Sequence, residues 1–252
     1  MKPLSQPPPP PDSNPKTYET VHKLLGLLKA GARILDAPCG SGRLTWVLLR
    51  GGYQVVPGDI NVAKYKLAEP PITFVDLNGP IPFPDQHFDA AVFCEGPQVL
   101  ENPAQALREL ARVLKPGSIL IVAMPNVANL FSRFRFLLTS FFNKFPRPFD
   151  ERLGEGNFNP VTLYELRYLL HHHGFTIDRI CTNRYKISHL LPLPLAPLVW
   201  AATGLTVFLK CRKTGLQHMR YEIWRQMTSF PMLFGETVVL RAFKEKPSSI
   251  RI

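Results

Sequence analysis

The chain predicts an α/β fold with a largely parallel sheet covered on both faces, and three observations carry that prediction. Short apolar runs alternate with segments of helical period from Thr17 to about Asn126. A glycine-rich turn, Pro38-Cys39-Gly40-Ser41-Gly42, follows the first of the apolar runs. Acids then close three successive runs: Asp36, Asp59 and Asp76.

Taken in order, TYETVHKLLGLLKAG from Thr17 spaces its apolar residues as a helix does and stops at Gly31. ARILD reads as the first strand, and RLTWVLLR as a helix closed by Gly51 and Gly52. YQVVPGD, ITFVD, FDAAVF and SILIVAMP are further strands. Between the last two, Ala106, Leu107, Leu110, Val113 and Leu114 form one apolar stripe, and Lys115-Pro116-Gly117 ends that helix. The alternation lapses after Asn126 into a basic, aromatic stretch. It resumes with the helix VTLYELRYLLHHHGF and the strand TIDRI, and ETVVLRAF closes the chain as a strand.

The 252 residues are enough for one substantial core, so a single domain with insertions is expected. Residues 1–16, with their proline run, read as a disordered tail sampling polyproline II. Residues 17–252 then form the domain, with insertions at about 127–157 and 186–234. Four cysteines without a CxxC pair argue against a disulfide framework and suit a reducing cytoplasm. A net charge of +11 favours an anionic partner such as a membrane surface, a nucleic acid or an acidic metabolite.

The chemistry gathers at the strand ends. In an open parallel sheet, ligands bind beyond the carboxyl ends of the strands, where backbone N–H groups and a helix N-terminus are available. Gly40 and Gly42 let the turn approach a ligand at backbone distance. Asp36 is placed to receive the ammonium of an amino-acid moiety, directly or through water. Asp59 lies twenty-three positions further on, the spacing at which an acid binds ribose hydroxyls, with Ile60 available to an adenine face. Asp76 is positioned for an adenine amino group. Each acid alone could equally be a turn former; three at successive strand ends point to a nucleoside.

ILDAPCGSGRLTWVLL resembles the first motif of the class I S-adenosylmethionine-dependent methyltransferases, in a small bacterial branch of the type 11 and type 23 kind. VVPGDIN resembles their second motif, and FVDLNGPIPFPDQHFDAAVF the stretch joining their third and fourth strands. RELARVLKPGSILIVAMPN and LRYLLHHHGFTIDRI are similar to their later units. The resemblance covers about residues 30–130 well and two later stretches more loosely. It implies a Rossmann-like, doubly wound seven-stranded sheet, mostly parallel, whose last strand ETVVLRAF is antiparallel, with the apolar helical insertion added to it. It also implies S-adenosylmethionine as cofactor, contacted by Asp36, Ala37, Cys39, Gly40, Gly42, Asp59, Ile60, Asp76, Leu77 and Cys94.

The sequence departs from the family at two places. Pro38 stands where the first turn usually has glycine, and donates no N–H. Gln98 and Val99 stand where this branch shows a Glu-His pair, which removes an obvious base. Glu95, just past the fourth strand, is the candidate catalytic residue that remains. No metal site is expected: side chains at His171, His172 and His173 diverge by about 100° per residue on a helix.

Leu190 to Leu209 carries no charge, and Pro192, Pro194 and Pro197 break its first half, leaving about a dozen helical residues from Leu198. Lys210, Arg212 and Lys213 follow. Leu130, Phe134, Leu137, Leu138 and Phe141 form a second apolar face with Arg133, Arg135 and Lys144 nearby. Lid, lid with contact to an anionic membrane, and transmembrane span all stay open. The leading expectation is methyl transfer to a small-molecule or lipid-like acceptor, in the cytoplasm or at the inner face of the membrane. A nucleic-acid methyltransferase, a non-catalytic cofactor-binding module and a nicotinamide enzyme are the alternatives. DAPCGSG fits the GxGxxG fingerprint of the last poorly.

Overall fold

The structure, a computed structural model, describes residues 6–145 and 156–246. Its centre is a seven-stranded sheet in the order β3-β2-β1-β4-β5-β7-β6. The strands are β1 (Arg33–Asp36), β2 (Gln54–Asp59), β3 (Thr73–Phe74), β4 (Phe88–Cys94), β5 (Leu114–Pro125), β6 (Phe175–Thr182) and β7 (Thr237–Lys244). The first five pair in parallel, and β7 is antiparallel to both β5 and β6. This is the doubly wound sheet with an antiparallel last strand that the sequence led us to expect. The order reverses between β1 and β4, which opens a crevice at the carboxyl ends of the neighbouring strands.

Helices α1 (Pro15–Leu24), α2 (Arg43–Arg50), α3 (Pro103–Val113) and α5 (Leu163–His172) cover the sheet. The central strands are buried on both faces, so they read as near-continuous apolar runs; Ile119 to Met124 of β5 are all buried. One core layer joins Leu107, Leu110 and Val113 of α3 to Phe88, Phe93 and Phe175. The other sets Val21 and Leu25 against Ile34, Leu48 and Ile121. Truncating a fully buried leucine such as Leu110 to alanine would cost about 2–5 kcal/mol.

The second half adds α4 (Leu130–Thr139), α6 (Ile187–Leu190), α7 (Ala196–Thr214), α8 (Arg220–Met227) and α9 (Phe230–Phe234). Asn126, at the end of β5, fixes this region. Its Nδ2 donates to the carbonyls of Pro231, Met232 and Gly235 at 2.9–3.2 Å. Helix α7 is longer than expected: it begins at Ala196 with Pro197 in its first turn, where a missing N–H costs nothing, and runs for 19 residues. Ile187–Lys213 is, by length and composition, apolar enough to cross a membrane. Residues 146–155 of the first expected insertion lie outside the described residues.

The amino-terminal segment differs from expectation. Residues 1–5 of the expected tail lie outside the described residues, whereas Gln6 to Asn14 lie across the glycine-rich turn, and α1 starts at Pro15 behind an Asn14 cap. The reason is chemical. A proline run has no N–H groups of its own to pair its carbonyls, so they are open to outside donors. Ser41 Oγ donates to the Pro10 carbonyl at 2.7 Å, Arg43 Nη1 to that of Pro9 at 2.9 Å and Trp46 Nε1 to that of Gln6 at 3.2 Å.

Candidate functional site

A cavity of about 360 Å³ opens at the sheet crevice, within the size range of small-molecule sites. Its walls come from the loops after β1, β2, β3 and β4, together with the amino-terminal segment.

The turn after β1 forms the floor. Gly42 caps α2 at φ +87°, and Gly40 has φ +53°, both in the left-handed region that disfavours side chains. A Cβ on Gly42 would come within 2.6 Å of the Tyr65 ring, and one on Gly40 within 2.6 Å of Asp12 Oδ2. No side chain on the helix itself caps α2. Asp12 supplies the anion instead: Ser41 N–H donates to Asp12 Oδ2 at 2.7 Å, next to the positive end of the helix. Lys64 pairs with the same carboxylate at 3.3 Å. Burial pushes the Asp12 pKa up, but the Ser41 and Lys64 partners outweigh it and hold it below the usual value.

Asp59 stands at the cavity rim with both oxygens engaged. Oδ2 accepts from Gly40 N–H at 2.8 Å and Oδ1 from Asn61 N–H at 2.9 Å. A carboxylate has about four lone-pair sites, so acceptor capacity remains for hydroxyls. Ile60 lies beside it, 57% exposed, an apolar surface presented to the cavity. Asp76, Leu77 and Asn78 line the facing wall, with Asp76 Oδ1 accepting from Asn78 N–H at 2.9 Å.

Asp36 and Ala37 lie elsewhere than their expected role. Both are fully buried beneath the turn and neither is on the cavity wall. Asp36 Oδ2 accepts from Thr45 Oγ1 at 2.6 Å, whereas Oδ1 has no partner among the described residues. Burial is the main cause that raises its pKa, to about 7, with the Asp59 charge adding to it. Asp36 therefore supports the turn from behind. Cys39, Gly40 and Cys94 do line the cavity; Gly42 shapes the turn without doing so.

Glu95 directly follows β4 at φ +57°, a strained conformation for a residue with a side chain. Its Oε1 accepts from Ser13 Oγ at 3.0 Å and its Oε2 from Gln98 Nε2 at 2.5 Å. Burial raises its pKa, and Lys144 is the largest influence opposing that rise. Gln98 thus holds Glu95 directly, while Val99 presents an apolar side chain to the cavity. His87, before β4, is at the opposite edge of the sheet, and His171 to His173 cap the far end of α5.

Asp12, Ser13, Tyr18, Lys64, Gly156 and Phe158 also line the cavity, and sequence reasoning missed them. A one-dimensional pattern carries no signal for a tail that folds back over a turn about thirty residues away. The residues present suit a nucleoside with a charged tail. Asp59 and Asp76 bracket the apolar Ile60, Val75 and Leu77, and the Gly40 floor lets backbone come close.

Residues 35–122 match the sequence profile of a methyltransferase domain. The chain is 35% identical over 108 residues to a ubiquinone/menaquinone biosynthesis C-methyltransferase of Pseudomonas fluorescens, covering 38% of this chain and 42% of the relative. It is 38% identical over 108 residues to a demethylmenaquinone methyltransferase of Tropheryma whipplei, covering 40% and 44%. The matched region thus spans about two-fifths of the length of these relatives. A methyltransferase structure from Methanosarcina mazei superposes with a TM-score of 0.56 at 21% identity, covering 93% of this chain and 99% of that one. One from Thermotoga maritima gives 0.55 at 17%, covering 91% and 89%. These structures share the fold. With the strand order, the glycine turn and the strand-end acids in place, residues 35–122 are similar to a methyltransferase domain, set in the fold that S-adenosylmethionine-dependent methyltransferases share.

Proposed function

We propose that this chain transfers a methyl group from S-adenosylmethionine to a small-molecule or lipid-like acceptor at the carboxyl edge of the sheet. The observation that carries the reading is the cavity between Asp59 and Glu95, with the glycine turn as its floor. Asp59 would bind the ribose hydroxyls, Ile60 and Leu77 the adenine faces and Asp76 the adenine amino group. Gly40, Cys39 and Cys94 would line the amino-acid end, with Asp36 acting only through the turn.

When bound, the cofactor would supply an activated sulfonium methyl for in-line transfer to an acceptor lone pair, the S–C electron pair leaving with the thioether sulfur. The chain's own work is alignment and exclusion of water. Where the acceptor atom must lose a proton, Glu95 is the group to take it. Its raised pKa brings it towards the range suited to a general base, and Ser13 and Gln98 fix its two oxygens. Glu95→Gln should slow transfer by about 10²–10⁴-fold for such an acceptor. Single-turnover assay with unchanged S-adenosylhomocysteine affinity would support the role, and an unchanged rate would remove it.

A second reading concerns where the enzyme works. Helix α7 leaves Leu198, Trp200, Leu205, Phe208 and Leu209 exposed, and α4 leaves Leu137 and Leu138 exposed. Arg212 and Lys213 end α7. An exposed apolar helix with terminal cations suits peripheral contact with an anionic bilayer, which would bring a lipid-like acceptor to the site. Sedimentation with phosphatidylglycerol vesicles tests this; protein left in the supernatant would remove it.

A further inference from the structure

Glu236 is a buried carboxylate whose partners exceed its needs. Its side chain is 3% exposed, and it pairs with Arg184 Nε, with Lys186 at 2.6 Å and with Lys144 at 3.5 Å. Burial would raise its pKa, but these cations overcome that and hold it at about 2. A single cation would neutralise it. Among the described residues, three cations converge on one carboxylate, each side chain between 33% and 40% exposed. Crowding like charges is unfavourable unless something uses them, and among the described residues the cations on Glu236 outnumber it by two.

The cluster lies at the working edge of the sheet. Asn126 N–H, at the end of β5, donates to the Glu236 carbonyl at 3.1 Å, and Glu95 N–H donates to Ala123 of the same strand at 2.8 Å. Lys144 and Glu236 are both near enough for their charges to act on Glu95. Lys144 is tied through its backbone to a segment that supplies part of the cavity wall. Asn157, between the wall residues Gly156 and Phe158, donates its Nδ2 to the Lys144 carbonyl at 3.3 Å. Lys144 has φ +69° and Glu95 φ +57°, both in the left-handed region that disfavours side chains.

Resting on the methyltransferase reading, we infer that Lys144, Arg184 and Lys186 form a subsite for an oxyanion, a carboxylate or phosphate carried by the methyl acceptor. Glu236 holds the three cations in place, and their unspent charge and charge-assisted donors receive the anion. Amine or hydroxyl acceptors lacking an anionic group would then be poor substrates.

The test titrates the full chain, with and without S-adenosylhomocysteine, with glycerol 3-phosphate and with dihexanoyl phosphatidic acid below its micelle concentration. Sodium chloride at matched ionic strength is the control. Saturable binding is expected, weakened by about fivefold or more in Lys144→Gln and in Lys186→Gln. S-Adenosylhomocysteine affinity should stay within about twofold of wild type in both variants, since neither side chain lines the nucleoside cavity. Binding of both probes assigns the site to the anion itself, and binding of the lipid alone assigns it to a headgroup. Both outcomes support the subsite when the variants weaken them. No binding beyond the chloride control, or binding that neither substitution alters, would overturn it. Wild type that fails to bind S-adenosylhomocysteine would instead overturn the methyltransferase reading, and the anion titration without nucleoside still decides the subsite.

Discussion

The carboxyl edge of β1, β2 and β4 and the helical face made by α4, α6 and α7 present opposite solutions to exposure. At the sheet edge, polar groups are buried and paired: Asp59 and Glu95 have both carboxylate oxygens bonded. On the helical face, apolar side chains are exposed: Ile187, Leu198 and Leu137 are each more than two-thirds open to solvent. Among the described residues, Leu130, Leu233 and Phe234, with Leu190, Ala196 and Val199 against them, form a small core beneath that face. A pre-organised polar edge is suited to hold a charged nucleoside in one geometry. A greasy face with little core beneath it is suited to meet something apolar outside the protein.

The contrast can be broken at both ends, and the largest effect belongs to the sheet edge. Asp36 is fully buried and its folded pKa is raised from 3.8 to about 7. A raised carboxyl pKa gives stability that is complete below the unfolded value and lost as pH climbs through the folded one. Asp36→Asn removes that loss. Its stability relative to wild type should therefore rise between pH 4 and pH 8, by at most about 4 kcal/mol. Urea melts across that range measure it, and a flat difference would contradict the burial argument.

Asp59→Ala comes next. It should weaken S-adenosylhomocysteine binding by about tenfold or more, because it takes away the acceptor for ribose hydroxyls. It should also cost about 1–3 kcal/mol of stability, since Gly40 and Asn61 N–H groups lose their acceptor. Calorimetric titration and thermal melts on one sample separate the two effects. Asp12→Ala, which takes the acceptor from Ser41 N–H just before α2, should be milder, at about 0.5–1.5 kcal/mol.

The smallest stability effect is expected on the helical face. Leu205→Asp on α7 should change stability by about 0.5 kcal/mol or less, since the side chain is 60% exposed. It should nevertheless reduce sedimentation with anionic vesicles. A large loss of stability instead would mean that this face is covered by protein.

The two regions also differed in how far the sequence revealed them. The strand ends were legible because their signals are local: ARILD, the turn and YQVVPGD follow one another, and Asp59 and Glu95 reach the cavity directly from their strands. The burial of Asp36 was not legible in the same way, because position along a strand does not say whether a carboxylate lines the cavity or lies behind it against Thr45. The amino-terminal segment was illegible for a different reason. Its carbonyls are paired by Arg43 and Trp46, donors that belong to another element. Glu236 joins Lys144 to Arg184 and Lys186 only in three dimensions. The proline spacing around Leu190 suggested a short helix, yet proline in a first turn is tolerated and α7 starts at Ala196.

The most direct test is calorimetric titration of the purified chain with S-adenosylmethionine, S-adenosylhomocysteine and NADH. Dissociation constants of about 1–100 μM for the two sulfur nucleosides, with no heat from NADH, are the expected result for a pre-formed cavity of this kind. Absence of binding by either sulfur nucleoside, or preferential binding of NADH, would contradict the assignment of the edge between Asp59 and Glu95 as a methyl-donor site.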